Sequence, residues 1–134
     1  MNYMGQDTSK VHVWVGINYD PSFDNYFELD DSGVDVDDTR YKICGFCKDI
    51  AEKWYDEDWI GVVQSPVSVD LDTLLGDELS VSDITLADIK KKCVDKGLKS
   101  ANAMFYYIDA LIEIKDKDKD YNSLFYIGAF DTDL

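Results

Sequence analysis

Cys44-Gly45-Phe46-Cys47 sets two thiols three residues apart, the spacing used by redox dithiols and by half of a zinc site. Tetrahedral zinc needs two further ligands, and only Cys93 and His12 remain, neither in a matching pair. The pair also falls within an apolar stripe that continues through Ile50 and Trp54, so the expectation is core cysteines, reduced because their number is odd. Asp116-Lys117-Asp118-Lys119-Asp120 opens like a calcium loop. Such a loop needs glycine at its sixth position and glutamate at its twelfth, where this chain has Tyr121 and Ile127. His12, the single histidine, sits in an apolar run, which suits a buried, hydrogen-bonded ring better than a proton-transfer catalyst. No GxSxG elbow, HExxH pair or phosphate-binding glycine loop occurs in the sequence. With 28 acids in one chain, carboxylate pairs arise by chance, so acid–base chemistry of the glycosidase type gains no support from them. The expectation is a protein that is not an enzyme and uses no cofactor and no metal.

What remains is charge. Thirteen Lys and Arg stand against 28 Asp and Glu, a net of −15. Val11 through Thr39 holds eight acids and no Lys or Arg, and Trp54 through Ile89 holds nine more, again with none. A field of this sign repels nucleic-acid phosphates and anionic lipid head groups and steers a cationic protein toward one face. The candidate docking residues are Asp30, Asp31, Asp35, Asp37 and Asp38, with Asp56, Glu57 and Asp58. Tyr55, Trp59 and Phe23 lie beside them as aromatic anchors, although each could equally serve a core.

These side chains need a scaffold. At 134 residues and 15.3 kDa the chain is expected to form one domain over residues 1–134, with 1–9 flexible. Val11 to Ile17 alternates at the period of a strand, and both of its faces are apolar, which predicts an interior strand. Pro21 or Ser22 starts a short helix bearing Phe23, Tyr26 and Phe27, and Leu29–Thr39 follows as an exposed acidic loop. The spacing of Ile43, Cys44, Cys47, Ile50 and Trp54 predicts a second helix from Arg40 to about Trp54. A strand interrupted by Pro66 comes next, then a short helix capped by Asp70 and ended by Gly76, and a longer one from Ser82 or Asp83 to Gly97. Ala103–Ile114 reads as a central strand, DKDKD as its hairpin connection, and Ser123–Phe130 as the last strand. The sum is an α+β domain with about four mostly antiparallel strands and helices packed on the sheet.

No stretch reaches the ~20 apolar residues of a membrane helix, and Met1–Lys10 has neither the basic nor the apolar region of a secretion signal, so a cytoplasmic location is expected.

VHVWVG at 11–16, YFELD at 26–30, FCKDIAEKWYDEDWIG at 46–61, ANAMFYY at 101–107 and LFYIGAF at 124–130 together resemble the immunity protein 22 family of bacterial polymorphic toxin systems. The resemblance spans nearly the whole chain. It implies a cytoplasmic antitoxin, without cofactor or turnover, that binds a cognate toxin domain as a monomer in a 1:1 complex. Toxins of these systems are often nucleases, whose grooves are basic to hold phosphate, and a net charge of −15 complements such a groove. The alternative is an acidic adaptor or nucleic-acid mimic that blocks another basic protein.

Overall fold

The computed structural model describes residues 7–134. The chain runs β1 (Lys10–Gly16), a 3-10 turn (Phe23–Phe27), α1 (Gly45–Asp49), a second 3-10 turn (Glu57–Trp59), β2 (Ile60–Asp70), α2 (Leu71–Leu75), α3 (Asp83–Asp95), β3 (Ser100–Ile108) and β4 (Leu124–Asp131). The four strands form one sheet in the order β2-β3-β1-β4, and every pairing is antiparallel. The expected α+β fold with a four-stranded antiparallel sheet is therefore present.

β1 explains the order. Val11, Val13 and Val15 point to one face and His12 and Trp14 to the other, and all five are buried. A strand apolar on both sides has to sit inside a sheet covered on both sides. One cover is α2 and α3, whose Leu71, Leu74, Leu75, Ile89 and Cys93 pack on the β1 valines, Met104, Ile108 and Phe130. The other is the segment from the first 3-10 turn to Tyr55. Its Phe23, Phe27, Phe46, Cys47 and Tyr55 close over Trp14, Phe105, Tyr107 and Tyr126. Trp14 stacks on Phe105 at 4.6 Å between ring centres, and Phe46 meets both rings edge-on.

Placing β1 inside corrects two expectations. β3 and β4 do not form a hairpin, because β1 lies between them. β3 also stops at Ile108 rather than Ile114: the Asp109 carboxylate accepts the Leu111 N–H at 2.9 Å and turns the chain out of the sheet. The 109–123 connection then crosses the aromatic side, where Ile114 and Tyr121 are buried. The tight turn is Asn122-Ser123, with φ of 56° and 71°, closed by paired backbone bonds between Tyr121 and Leu124. Two left-handed residues in succession make the hairpin turn that matches strand twist. In β4, a bulge opposite Val13 and Trp14 uses Gly128, at φ 149°, so that Tyr126 faces the aromatic layer and Phe130 the helical one.

β2 continues through Pro66 to Asp70, at the sheet edge where a missing N–H is tolerated, and its register shifts between Gln64 and Val69. α2 and α3 begin as expected, with Asp70 accepting from Thr73 N and Ser82 from Thr85 N. Buried amides clasp one end of the sheet. Asn102 Oδ1 accepts the Asn18 N–H at 2.7 Å, while Asn102 Nδ2 donates to Asn18 O at 2.6 Å and Ser65 O at 3.1 Å. Gln64 Nε2 donates to Asn18 O and Asp20 O, and Asn18 Nδ2 to Asn122 O, tying all four strand ends together.

Candidate functional site

The two covering layers differ sharply in charge. Residues 20–58, which build the aromatic cover, hold thirteen carboxylates against four cations, so they carry −9 of the chain's −15. Residues 70–99, which hold both helices of the other cover, have seven carboxylates against five cations, a net of −2. Lys90, Lys91, Lys92, Lys96 and Lys99 fall in or just beyond α3, where its C-terminal dipole favours cations.

The sequence anticipates a helix from Arg40 to Trp54, but α1 ends at Asp49. The cause is local. Ala51 adopts φ 61°, Ala51 N–H donates to Lys48 O and Glu52 N–H to Cys47 O, which is the bonding of a left-handed helix stop. The same stop closes α3, where the left-handed residue is Gly97 at φ 88°. Because the helix ends here, Trp54 leaves the apolar stripe and stands 51% exposed between Lys53 and the 56–58 acids. Sequence periodicity missed this residue as a surface anchor, since only the left-handed Ala51, which carries no glycine signal, redirects it.

Tyr55 turns the other way. It is buried, its hydroxyl donates to Phe27 O, and its ring packs edge-on against Phe46 and Tyr107. Burial drives its pKa up. Tyr55, like Phe23, is thus a core residue rather than a docking anchor, because the aromatic layer needs its ring to seal the sheet. Trp59 is half-buried and touches both cores, and Tyr107 Oη accepts the Asp56 N–H at 3.0 Å. The 55–59 segment is consequently held fast while Glu57 and Asp58 stay exposed.

Of the anticipated acids, Asp31, Asp35, Asp37, Glu57 and Asp58 are exposed, and Asp30, Asp38 and Asp56 are half-buried. Several organise the loop itself. Asp30 accepts the N–H groups of Ser32 and Lys42, and hydrogen bonding to Ser32 first and then Lys42 holds its carboxyl down to about 2. Asp35 accepts the Asp37 N–H, Asp56 the Asp58 N–H, and Asp38 the backbone and guanidinium of Arg40. Lys53 Nζ lies 3.1 Å from Asp37 and bridges the 30s loop to the stretch after α1. Tyr41 sits within electrostatic reach of both Asp30 and Glu57, which, after burial, help raise its pKa. The Lys53–Asp37 contact thus ties the acidic 30s loop to the stretch that leads into the 56–58 acids. Glu28, Asp31, Glu57 and Asp58 make no ion pair among the described residues.

The other chemical candidates resolve into structure. His12 Nε2 lies 3.1 Å from Asp109 O, an atom that can only accept, so Nε2 carries the proton and Nδ1 accepts from Tyr126 Oη at 2.8 Å. Burial depresses the His12 pKa and keeps the ring neutral. Cys44, Cys47 and Cys93 are all buried free thiols, and no cluster of three metal-ligating side chains exists among the described residues. No helix among them is long and apolar enough to cross a membrane.

No curated protein and no solved structure matches the chain. A family model described as Immunity protein 22 matches residues 11–133 of the 134, beginning at the second residue of the two-faced strand β1. That span takes in both covering layers and all of the sheet but Lys10, so this chain belongs to the immunity protein 22 family.

Proposed function

We propose that this protein neutralises a cognate bacterial toxin domain in the cytoplasm by docking its anionic aromatic-side cover onto a cationic surface of the toxin, as a monomer in a 1:1 complex. The observation that carries the reading is the asymmetry of charge: −9 over residues 20–58 against −2 over residues 70–99, in a chain of an immunity protein family. A groove that holds phosphate is basic, so a nuclease toxin is the partner whose charge fits best. Trp54 supplies the exposed aromatic contact, and the exposed Glu28, Asp31, Asp35, Glu57 and Asp58 of the same 20–58 segment supply steering charge. Inhibition is by occupation: the carboxylates lie where the phosphates would, and no bond is made or broken.

Co-expression with the cognate toxin domain, sought in the gene next to its own, tests the proposal. Cells producing both should survive, and the two proteins should purify together at equal stoichiometry. Cell death with both proteins present, or survival without a complex, would refute it.

A further inference from the structure

Cys44 and Cys47 are core cysteines, buried in the aromatic layer, but they stand at the start of a helix rather than along its interior stripe. Cys44 is the residue before α1, with extended backbone at φ −68° and ψ 164°, and Cys47 is the third residue within it. The Cys44 sulfur accepts the Cys47 N–H at 3.4 Å, so it already stands over the first turn and within a rotamer change of the Cys47 sulfur. Gly45 between them has no room for a side chain, since a Cβ there would meet the Tyr26 ring at 2.7 Å, and this packing fixes the turn in place. Tyr26 is itself anchored by donating to Asp49 at 2.6 Å.

The two thiols are also inequivalent. The Cys47 side chain is the largest influence on Cys44 and lowers its pKa to about 7, against burial. Cys44 and burial push Cys47 the opposite way. Both thiols are buried, with Cys44 at 7% exposure the nearer of the two to solvent. Cys93, alone in the opposite layer, has burial raising its pKa to about 11 and no partner thiol.

We infer that Cys44 and Cys47 form a reversible dithiol–disulfide couple, with Cys44 the attacking sulfur and Cys47 the resolving one. The co-reactant is a small-molecule disulfide of the glutathione class. The Cys44 thiolate attacks one sulfur of that disulfide and releases one thiolate, leaving a mixed disulfide on Cys44. Cys47 then gives up its proton and attacks the Cys44 sulfur, releasing the second thiol. Two protein thiols are oxidised and one small disulfide is reduced to two thiols. The resulting link closes the first turn of α1, beneath the anionic cover.

The test is equilibration of the purified full-length chain in oxidised and reduced glutathione, followed by acid quench, thiol alkylation and mass measurement. Wild-type protein should lose two thiols together, become two hydrogens lighter, and return fully on reduction. Tryptic cleavage after Lys42 and Lys48 should place both oxidised sulfurs in the 43–48 peptide. Cys93→Ser should behave as wild type, and Cys47→Ser should trap glutathione on Cys44. Should the variants misfold, the wild-type 43–48 peptide alone decides. Three unreacted thiols in excess oxidised glutathione, or glutathione stably attached to Cys44 in the wild type, would overturn the inference.

Discussion

Replacing Asn102 by alanine should cost about a third of the protein's stability. The side chain is fully buried and makes three hydrogen bonds of 2.6 to 3.1 Å. Asn18 O keeps its bond from Gln64, but the buried Asn18 N–H loses its only side-chain acceptor, and Ser65 O loses its donor. An orphaned buried donor costs about 1–3 kcal/mol and each further lost bond about 1 kcal/mol, which gives roughly 3–4 kcal/mol. Against a typical total of about 5–15 kcal/mol this is severe, and it corresponds to a melting temperature lower by about 10–15 °C. Urea unfolding followed by tryptophan fluorescence and far-ultraviolet circular dichroism measures it directly. Asn102→Asp sharpens the test. Its carboxylate still accepts from Asn18 N but faces two carbonyl oxygens in place of the donor, so at pH 7 it should be at least as damaging as alanine and should recover as acid protonates it. A cost below about 1 kcal/mol for alanine, or an aspartate variant as stable as the parent at pH 7, would refute the clasp as a stabilising unit.

Further outcomes follow from backbone strain, titration and charge. Ala51→Gly and Ser123→Gly should each raise stability by about 0.5–1 kcal/mol, because a left-handed non-glycine residue is strained by about 1–2 kcal/mol and glycine returns only part of that as unfolded-state entropy; unchanged urea midpoints would contradict this. His12 has a native pKa below its unfolded value near 6.5, so its neutral form contributes stability that is complete above that pH and is lost as pH falls through the lower native value. His12→Gln should therefore remove up to about 1.4 kcal/mol per pH unit of acid sensitivity, and parallel pH profiles for the two proteins would disprove the assignment. Self-repulsion within residues 20–58 should relax between about 0.01 M and about 1 M salt, as the screening length falls from about 30 Å to about 3 Å, and raise the melting temperature. A melting temperature indifferent to salt would remove that repulsion from the account.

The sheet was readable where chemistry is local. β1 declares itself through valines on one face and His12 and Trp14 on the other, and Asp70, Ser82 and Gly97 mark helix ends by their own side chains or by lacking one. What escaped depended on distant competition. The aromatic density of Ala103–Ile114 gives no sign that the strand ends at Ile108, since Ile112 and Ile114 are equally at home in the aromatic layer that the connection crosses. β3 and β4 look like a hairpin until β1 takes the place between them. Around the candidate site, the acids were visible as composition, but which of them are spent on the loop's own turns was not. Tyr55 and Trp54 exchange roles, buried for exposed, because an alanine adopts the conformation that glycine usually advertises.

The most direct test of the anionic-face account is the association rate with the cognate toxin domain, measured over a range of ionic strength. Glu28→Lys, Asp31→Lys and Glu57→Lys combined should slow association at low salt by about tenfold or more and flatten its salt dependence. The matched reversal of Asp77, Glu78 and Asp95, on and beside the helices of the opposite cover, should leave both nearly unchanged. Equal effects from the two triples, or none from the first, would contradict the claim that the cover built by residues 20–58 is the face that meets the toxin.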